Sequence, residues 1–177
     1  MRKLIASVAA LVAFVGVSAA VWAAPPVSRN FNAHLSGADE VPSRDTAAQG
    51  QVIFKVSKDE TSIGYKLIVS NIENVVAGHI HCAAEGINGP VGVTLFSGGV
   101  PGSGQVQGVL AQGVITAPDA GNGCGWATVQ DVLDAMLSGD TYVNVHTNDG
   151  VDPPNSGPGD FPGGEIRGQI GENGPSK

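Results

Sequence analysis

Charge is scarce in this sequence, and positive charge is scarcest. Of 177 residues 14% are charged, against about a quarter in an average soluble domain. Lysine and arginine total 9 against 16 acidic residues, a formal net charge of -7. No basic cluster occurs beyond Arg2-Lys3, so there is nothing to grip phosphate backbones or anionic lipid, and nucleic acid is not an expected partner. Low complexity is missing as well. Gly 26 and Pro 11 stay below the roughly 25–30% that marks disordered chains, no G-X-Y period runs through them, and 42% hydrophobic residues can supply a core. There is no phosphate-binding glycine loop before a long helix and no G-x-S-x-G elbow, and no Ser or Cys sits in a recognisable nucleophile setting. Nucleotide binding and α/β-hydrolase chemistry therefore have no residues to rest on.

Long hydrophobic runs are also absent, with one exception. Behind Arg2 and Lys3, Leu4 to Val21 is uncharged and apolar, and Val21-Trp22-Ala23 offers small residues for cleavage before Pro25-Pro26. This is the layout of a secretory signal over residues 1–23, leaving 24–177 as a single domain that is secreted or periplasmic; an uncleaved anchor is the alternative. Two of the nine basic residues go with the leader, so seven face 16 acidic ones in the remainder. No other segment is apolar enough to span a bilayer. In an exported chain the only two cysteines, Cys82 and Cys124, are expected to form one disulfide, the alternative being two separate thiols. The bond closes a loop of about 42 residues, for which chain entropy gives about 4 kcal/mol.

What the sequence has in quantity is alternation. Apolar and polar residues alternate in Asn30–Ser36, Gly50–Ser57, Thr61–Asn71, Asn74–Cys82, Val91–Phe96, Gln107–Thr116, Thr141–Thr147 and Gly164–Ile170, separated by Gly, Pro, Asn and Asp clusters. Lys58-Asp59-Glu60 reads as a hairpin loop. Thr128 to Leu137 instead places Val129, Val132, Leu133, Met136 and Leu137 at helical spacing behind a Thr128 N-cap and before Gly139. The expected fold is all-β, an antiparallel β-sandwich (immunoglobulin-like or superoxide-dismutase-like) of about eight strands with one short helix.

The same alternation sorts the polar residues. His79 and His81 fall on one face of their strand about 7 Å apart, with Ile80 and Cys82 on the other. In Thr141–Thr147, Val143 and Val145 turn inward and Tyr142, Asn144 and His146 outward; in Gly164–Ile170, Ile166 and Ile170 oppose Glu165, Arg167 and Gln169. His-x-His with a further histidine on a neighbouring strand supplies the neutral nitrogen donors that copper or zinc takes. His79, His81 and His146 are the candidate ligands. His34, on the polar face of the first strand, is a possible fourth, and Glu165, Tyr142 and Asn144 are candidate supports. A hydrogen-bonded framework is the competing reading of the same residues. Glu165 and Arg167 read as a strand-surface ion pair. Asn148-Asp149-Gly150-Val151-Asp152, with Asp160, offers oxygen to calcium but lacks the EF-hand spacing, and a Pro/Gly-rich hairpin tip accounts for it.

Five segments then resemble the CHRD domain, found repeated in chordin and singly in many exported bacterial proteins. They are Phe31–Pro42, Gly78-His79-Ile80-His81, Asn88-Gly89-Pro90-Val91, Tyr142–Thr147 and Gly164–Ile170, covering roughly Arg29 to Gly171. The resemblance implies a β-sandwich extracellular module without established catalytic activity. The stretch from Thr147 to Gly164 is longer than the family's usual connection, which puts contacts next to His146 in question. A single copy does not imply chordin's growth-factor antagonism. The His-x-His, the later histidine and the lone disulfide are also loosely similar to copper–zinc superoxide dismutase, whose bridged zinc site needs further histidines and an aspartate. The expectation is a non-enzymatic binding module for a metal ion or an unknown protein partner, with a redox enzyme as the remote alternative.

Overall fold

The computed structural model describes residues 30–173, so the expected leader and its cleavage site lie outside the described residues. The chain forms β1 (Asn30–Ser36), a single 3-10 turn (Gly37–Asp39), β2 (Gln49–Val56), β3 (Ile63–Glu73), β4 (Val75–Cys82), β5 (Val91–Phe96), β6 (Gln105–Ile115), α1 (Val129–Ser138), β7 (Thr141–Thr147), β8 (Ile166–Gln169) and β9 (Gly171–Glu172). The strands join in one antiparallel sheet of order β5-β4-β7-β8-β1-β2-β3-β6, with β9 beside β1. It curls into a nearly closed eight-stranded barrel or sandwich with one short helix, the expected class. Tyr65 of β3 helps draw the two ends of the sheet together by donating its hydroxyl to the Leu95 carbonyl of β5 at 2.7 Å.

The inward positions of each alternating strand make the core: Phe31, Leu35, Val52, Phe54, Ile63, Leu67, Ile80, Val143, Val145 and Ile166 are all fully buried. Each such side chain contributes on the order of 1.5–3 kcal/mol of burial. Helix α1 closes part of this core with Val129, Val132, Leu133 and Met136. It begins where the Thr128 side chain accepts the Asp131 N–H and the Asp131 carboxylate accepts the Thr128 N–H, and it ends on Gly139 in the left-handed region. Among the described residues no helix is long and apolar enough to cross a membrane.

Cys82, the last residue of β4, is bonded to Cys124 with Cα atoms 5.9 Å apart. The link ties the loop before α1 to the strand that carries His79 and His81. Replacing both cysteines by serine is expected to lower unfolding stability by about 4 kcal/mol, the entropy of freeing a loop of this length. Denaturant titration of the two proteins side by side reads this directly; an unchanged midpoint would show that the loop is held without the bond.

Candidate metal centre

Strand alternation alone puts the outer faces of β4, β7 and β8 in solvent, but the structure buries them. Tyr142, Asn144, Glu165 and Arg167 are each no more than 3% exposed. Three loops cover them: the segment from the 3-10 turn to Thr46, the 83–90 loop after β4, and the 159–164 end of the long loop before β8. The barrel therefore carries a second, polar layer outside its apolar core.

Arg167 and Glu165 show how that layer is held. The Arg167 guanidinium lies 3.5 Å over the Tyr142 ring and donates to Asn88 Oδ1, Ala84 O and Ile87 O. The Glu165 carboxylate accepts from the Thr46 hydroxyl at 2.6 Å, the Thr147 hydroxyl at 2.7 Å and the Gly159 N–H at 2.9 Å. The expectation of an exposed Glu165/Arg167 pair is thus corrected. Each group is buried and satisfied by its own loop, because covering the face leaves no water to solvate an unpaired charge. Glu165 anchors the long loop and orients no imidazole.

Within this layer His79, His81 and His146 converge, with one nitrogen from each inside 4.8 Å of the others. Pairing of β4 with β7 brings them together, since Ala77 faces His146, His79 faces Asn144 and His81 faces Tyr142. Ring centroids are 5.0 Å apart for His79 and His146, and 5.7 Å for His81 with either of them. His81 is 7% exposed and stacks on the Tyr142 ring at 4.8 Å and 13°. Tyr142 is thereby sandwiched between an imidazole and a guanidinium.

The loops decide which nitrogens are free. His81 Nδ1 lies 2.9 Å from the Gly89 carbonyl and His146 Nδ1 lies 3.0 Å from the Pro162 carbonyl. A carbonyl only accepts, so each Nδ1 carries the proton and each Nε2 keeps its lone pair. Those two Nε2 atoms, together with His79 Nδ1, are buried without a hydrogen-bond partner in the protein. Native proteins rarely orphan a buried polar atom, and here three sit side by side. Zinc bonds nitrogen at about 2.0–2.1 Å, so three nitrogens around one ion stand about 3.3–3.6 Å apart. From 4.8 Å the cluster needs a contraction of about 1.2–1.5 Å at most to reach that spacing, which side-chain rotations can supply. The residues present fit a metal ion.

Gly89 is the glycine this arrangement requires. A side chain there would place Cβ 2.0 Å from the Cys82 carbonyl oxygen. Its N–H donates to the Tyr142 oxygen at 3.1 Å, so one backbone unit ties both His81 and Tyr142.

Burial sets the protonation of the cluster. It pushes His79 below the ordinary histidine range, against the nearby negative charge of Asp119. His81 is pushed down to about 4, chiefly by burial and further by His79 and Arg167, while its Gly89 bond opposes. His146 is also pushed down to about 4, by burial and then by His79 and His81, against its Pro162 bond. All three are neutral at pH 7, the form that binds metals. Glu40, 6% exposed, moves the other way: burial raises it to about 7, against the charges of Arg167 and Arg44.

These shifts oppose each other in the metal-free protein. Lowered histidine values mean stability that is complete above about 6.5 and lost as pH falls towards 4. The raised Glu40 value contributes stability that is complete below 4.5 and lost as pH rises through 7. The histidines outnumber the carboxyl, so unfolding stability is expected to drop by on the order of 2 kcal/mol from pH 6.5 to 4.5. Glu40→Gln removes the opposing slope and should steepen the drop. Denaturant midpoints at the two pH values check this; a flat profile would contradict the buried, neutral cluster.

The other candidate residues stand elsewhere. His34 is exposed on β1 opposite Gln51. With β7 and β8 between β1 and β4, it is about three strand spacings, roughly 14 Å, across the sheet from His81. It joins no ligand group, which corrects the idea of a four-imidazole site. Asn148 and Asp149 spend their side chains on the N–H groups of Gly150 and Val151, and Asp160 accepts from Ser156. Among the described residues the three histidines are the only His/Cys/Asp/Glu group close enough to hold an ion. The long loop, whose length put contacts at His146 in question, supplies the Pro162 carbonyl that orients it. The loop carbonyls of Gly89 and Pro162 escape a reading of alternation, because backbone acceptors leave no mark on side-chain pattern; only Asn88-Gly89-Pro90 hinted at the first.

A β-scaffold with three neutral imidazoles gathered under a canopy of loops defines a β module able to coordinate a metal ion. The chain is a member of the CHRD domain family, whose model matches residues 31–170. Comparison with curated proteins and with solved structures found no match.

Proposed function

We propose that this protein is an exported metal-binding module of the CHRD family that holds one copper or zinc ion on His79, His81 and His146. The observation that carries the reading is the set of three adjacent buried nitrogens, His79 Nδ1, His81 Nε2 and His146 Nε2, none with a partner in the protein. Export is supported by the charged, apolar and small-residue order of residues 1–23 and by the Cys82–Cys124 bond, which suits an oxidising compartment. A bound ion would supply a Lewis-acidic positive charge at the edge of a chain that is otherwise net negative. The protein's part is to keep three lone pairs aligned and dry: Gly89 and Pro162 fix the ring orientations, and Tyr142 backs His81.

A second reading has an observation of its own. His81 and His146 each tie a loop carbonyl, so the same residues serve as a framework in a protein-interaction or envelope module that takes no metal. A dismutase-type enzyme would need further histidines at the cluster, and the only one left of the 4 in the chain is His34, three strands away. Elemental analysis with copper and zinc titration of the disulfide-intact protein separates the first two. About one ion bound per chain supports the metal module; no binding at micromolar concentrations of either metal would overturn it and leave the framework.

A further inference from the structure

The polar layer holds a second group of unpaired atoms, Glu40 with Asn144, across β7 from His79 and His81. Asn144 stands between His79 of β4 and Arg167 of β8 in the strand register, and Glu40 meets it from the covering segment that follows the 3-10 turn. Both side chains are buried. The one hydrogen bond between them, donated by Asn144 Nδ2 to Glu40 Oε2, is long at 3.5 Å. Glu40 Oε1 and Asn144 Oδ1 are left buried without a partner. They crowd one point over Gly164, where a Cβ would stand 2.7 Å from the first and 2.5 Å from the second. Two acceptors cannot satisfy each other. Neither nearby cation donates to this carboxyl: Arg167 gives its donors to Asn88, Ala84 and Ile87, and Arg44 gives Nε to the Gly164 carbonyl. Both act on Glu40 through charge alone. Of the acidic side chains around it, Asp39 accepts from the Ser36 hydroxyl, Glu165 from Thr46, Thr147 and Gly159, and Glu85 lines the same cavity as Glu40. An ionised Glu40 would have the long Asn144 bond and the Val41 backbone as its donors, too few for a buried charge.

We propose that Glu40 is a proton-operated latch: as a carboxylic acid it donates Oε1–H to Asn144 Oδ1 while its Oε2 accepts from Nδ2, fastening the 37–46 segment onto β7, and loss of that proton to solvent frees the segment. One proton pairs both orphaned oxygens. Burial raises Glu40 to about 7, which places release at and above neutral pH. A carboxylate left facing Oδ1 is relieved only when water reaches it, and water reaches it by displacing the covering segment. The latch needs no metal ion. It sets how firmly the canopy stays shut over Asn144, the cross-strand neighbour of His79.

The test is amide hydrogen exchange of the 37–46 segment in the disulfide-intact, metal-free chain, corrected for the intrinsic effect of pH on exchange. For a carboxyl that titrates at 4.5 when open and at about 7 when latched, the open population should grow about tenfold from about pH 6 to about pH 8. Glu40→Gln offers Asn144 the same donor and acceptor without a proton to lose, so exchange in that variant should stay flat over the same range. A readout that needs no variant is the carbon-13 shift of the Glu40 carboxyl, which should report the acid form at about pH 6 and ionise through neutral pH. Flat exchange in the parent chain, an equal rise in Glu40→Gln, or a Glu40 carboxyl already ionised at about pH 6 would each overturn the latch.

Discussion

Replacing His79 and His81 together by alanine is expected to abolish copper and zinc binding, lowering affinity by at least on the order of a thousand-fold, while the metal-free protein stays folded. A lone His146 is left, and a single imidazole is not a transition-metal site. The fold survives because the apolar core lies on the opposite face of β4, where Ile80 is fully buried. The 83–90 loop also keeps a second tether, since Gly89 N–H donates to the Tyr142 oxygen as well as its carbonyl accepting from His81. Deleting His79 removes an orphaned buried nitrogen, and deleting His81 removes another, so part of the packing loss is offset. Isothermal titration together with circular dichroism reads both halves. Retained metal binding by a folded double variant would mean that the ion sits elsewhere; loss of the fold would give these histidines the framework role.

A large loss of stability is expected from Arg167→Ala. This side chain is 2% exposed and sits at the junction of three elements. It covers the Tyr142 ring, donates to two carbonyls and one side chain of the 83–90 loop, and supplies the positive charge facing buried Glu40. Its removal strands the Ile87 carbonyl, takes one of two donors from the Ala84 carbonyl, empties the space over Tyr142 and leaves Glu40 with only Arg44 as a counter-charge. Breaking a buried charge network in this way costs about 3–5 kcal/mol, a large share of the roughly 5–15 kcal/mol that holds a domain together. Arg167→Lys should recover little, because an ammonium cannot cover the ring and reach the separate carbonyls as a planar fork does. A shift of the denaturant midpoint below about 1 kcal/mol in Arg167→Ala would show that the polar layer is dispensable.

The strands were legible where one face is apolar. Val91–Phe96 and Thr141–Thr147 have the bounds that alternation indicates, and the helix is displaced by one residue, to Val129–Ser138. Ile166–Gln169 is shorter than the alternating stretch around it because Gly164 has a φ of 123° and the chain enters the strand only after that bend. The two-residue β9 is too short for any period to show. Five motifs resembling the CHRD domain point to the same family as the match over residues 31–170. His79 and His81 announce themselves through spacing, and His146 joins them once β4 pairs with β7. The burial of Tyr142, Asn144 and Arg167 was not legible, because it comes from loops that fold back over the sheet and have no periodicity of their own. For the same reason the choice of free nitrogen on each ring, set by the carbonyls of Gly89 and Pro162, is a property of the folded chain alone.

The most direct test of a three-histidine metal centre is anomalous diffraction at the zinc and copper edges from crystals of metal-loaded, disulfide-intact protein. The account predicts one peak, about 2.0–2.2 Å from His79 Nδ1, His81 Nε2 and His146 Nε2, with the Gly89 and Pro162 carbonyls still on the opposite nitrogens of His81 and His146. A peak confined to the acidic 148–160 loop, or none at the histidines under saturating metal, would contradict it.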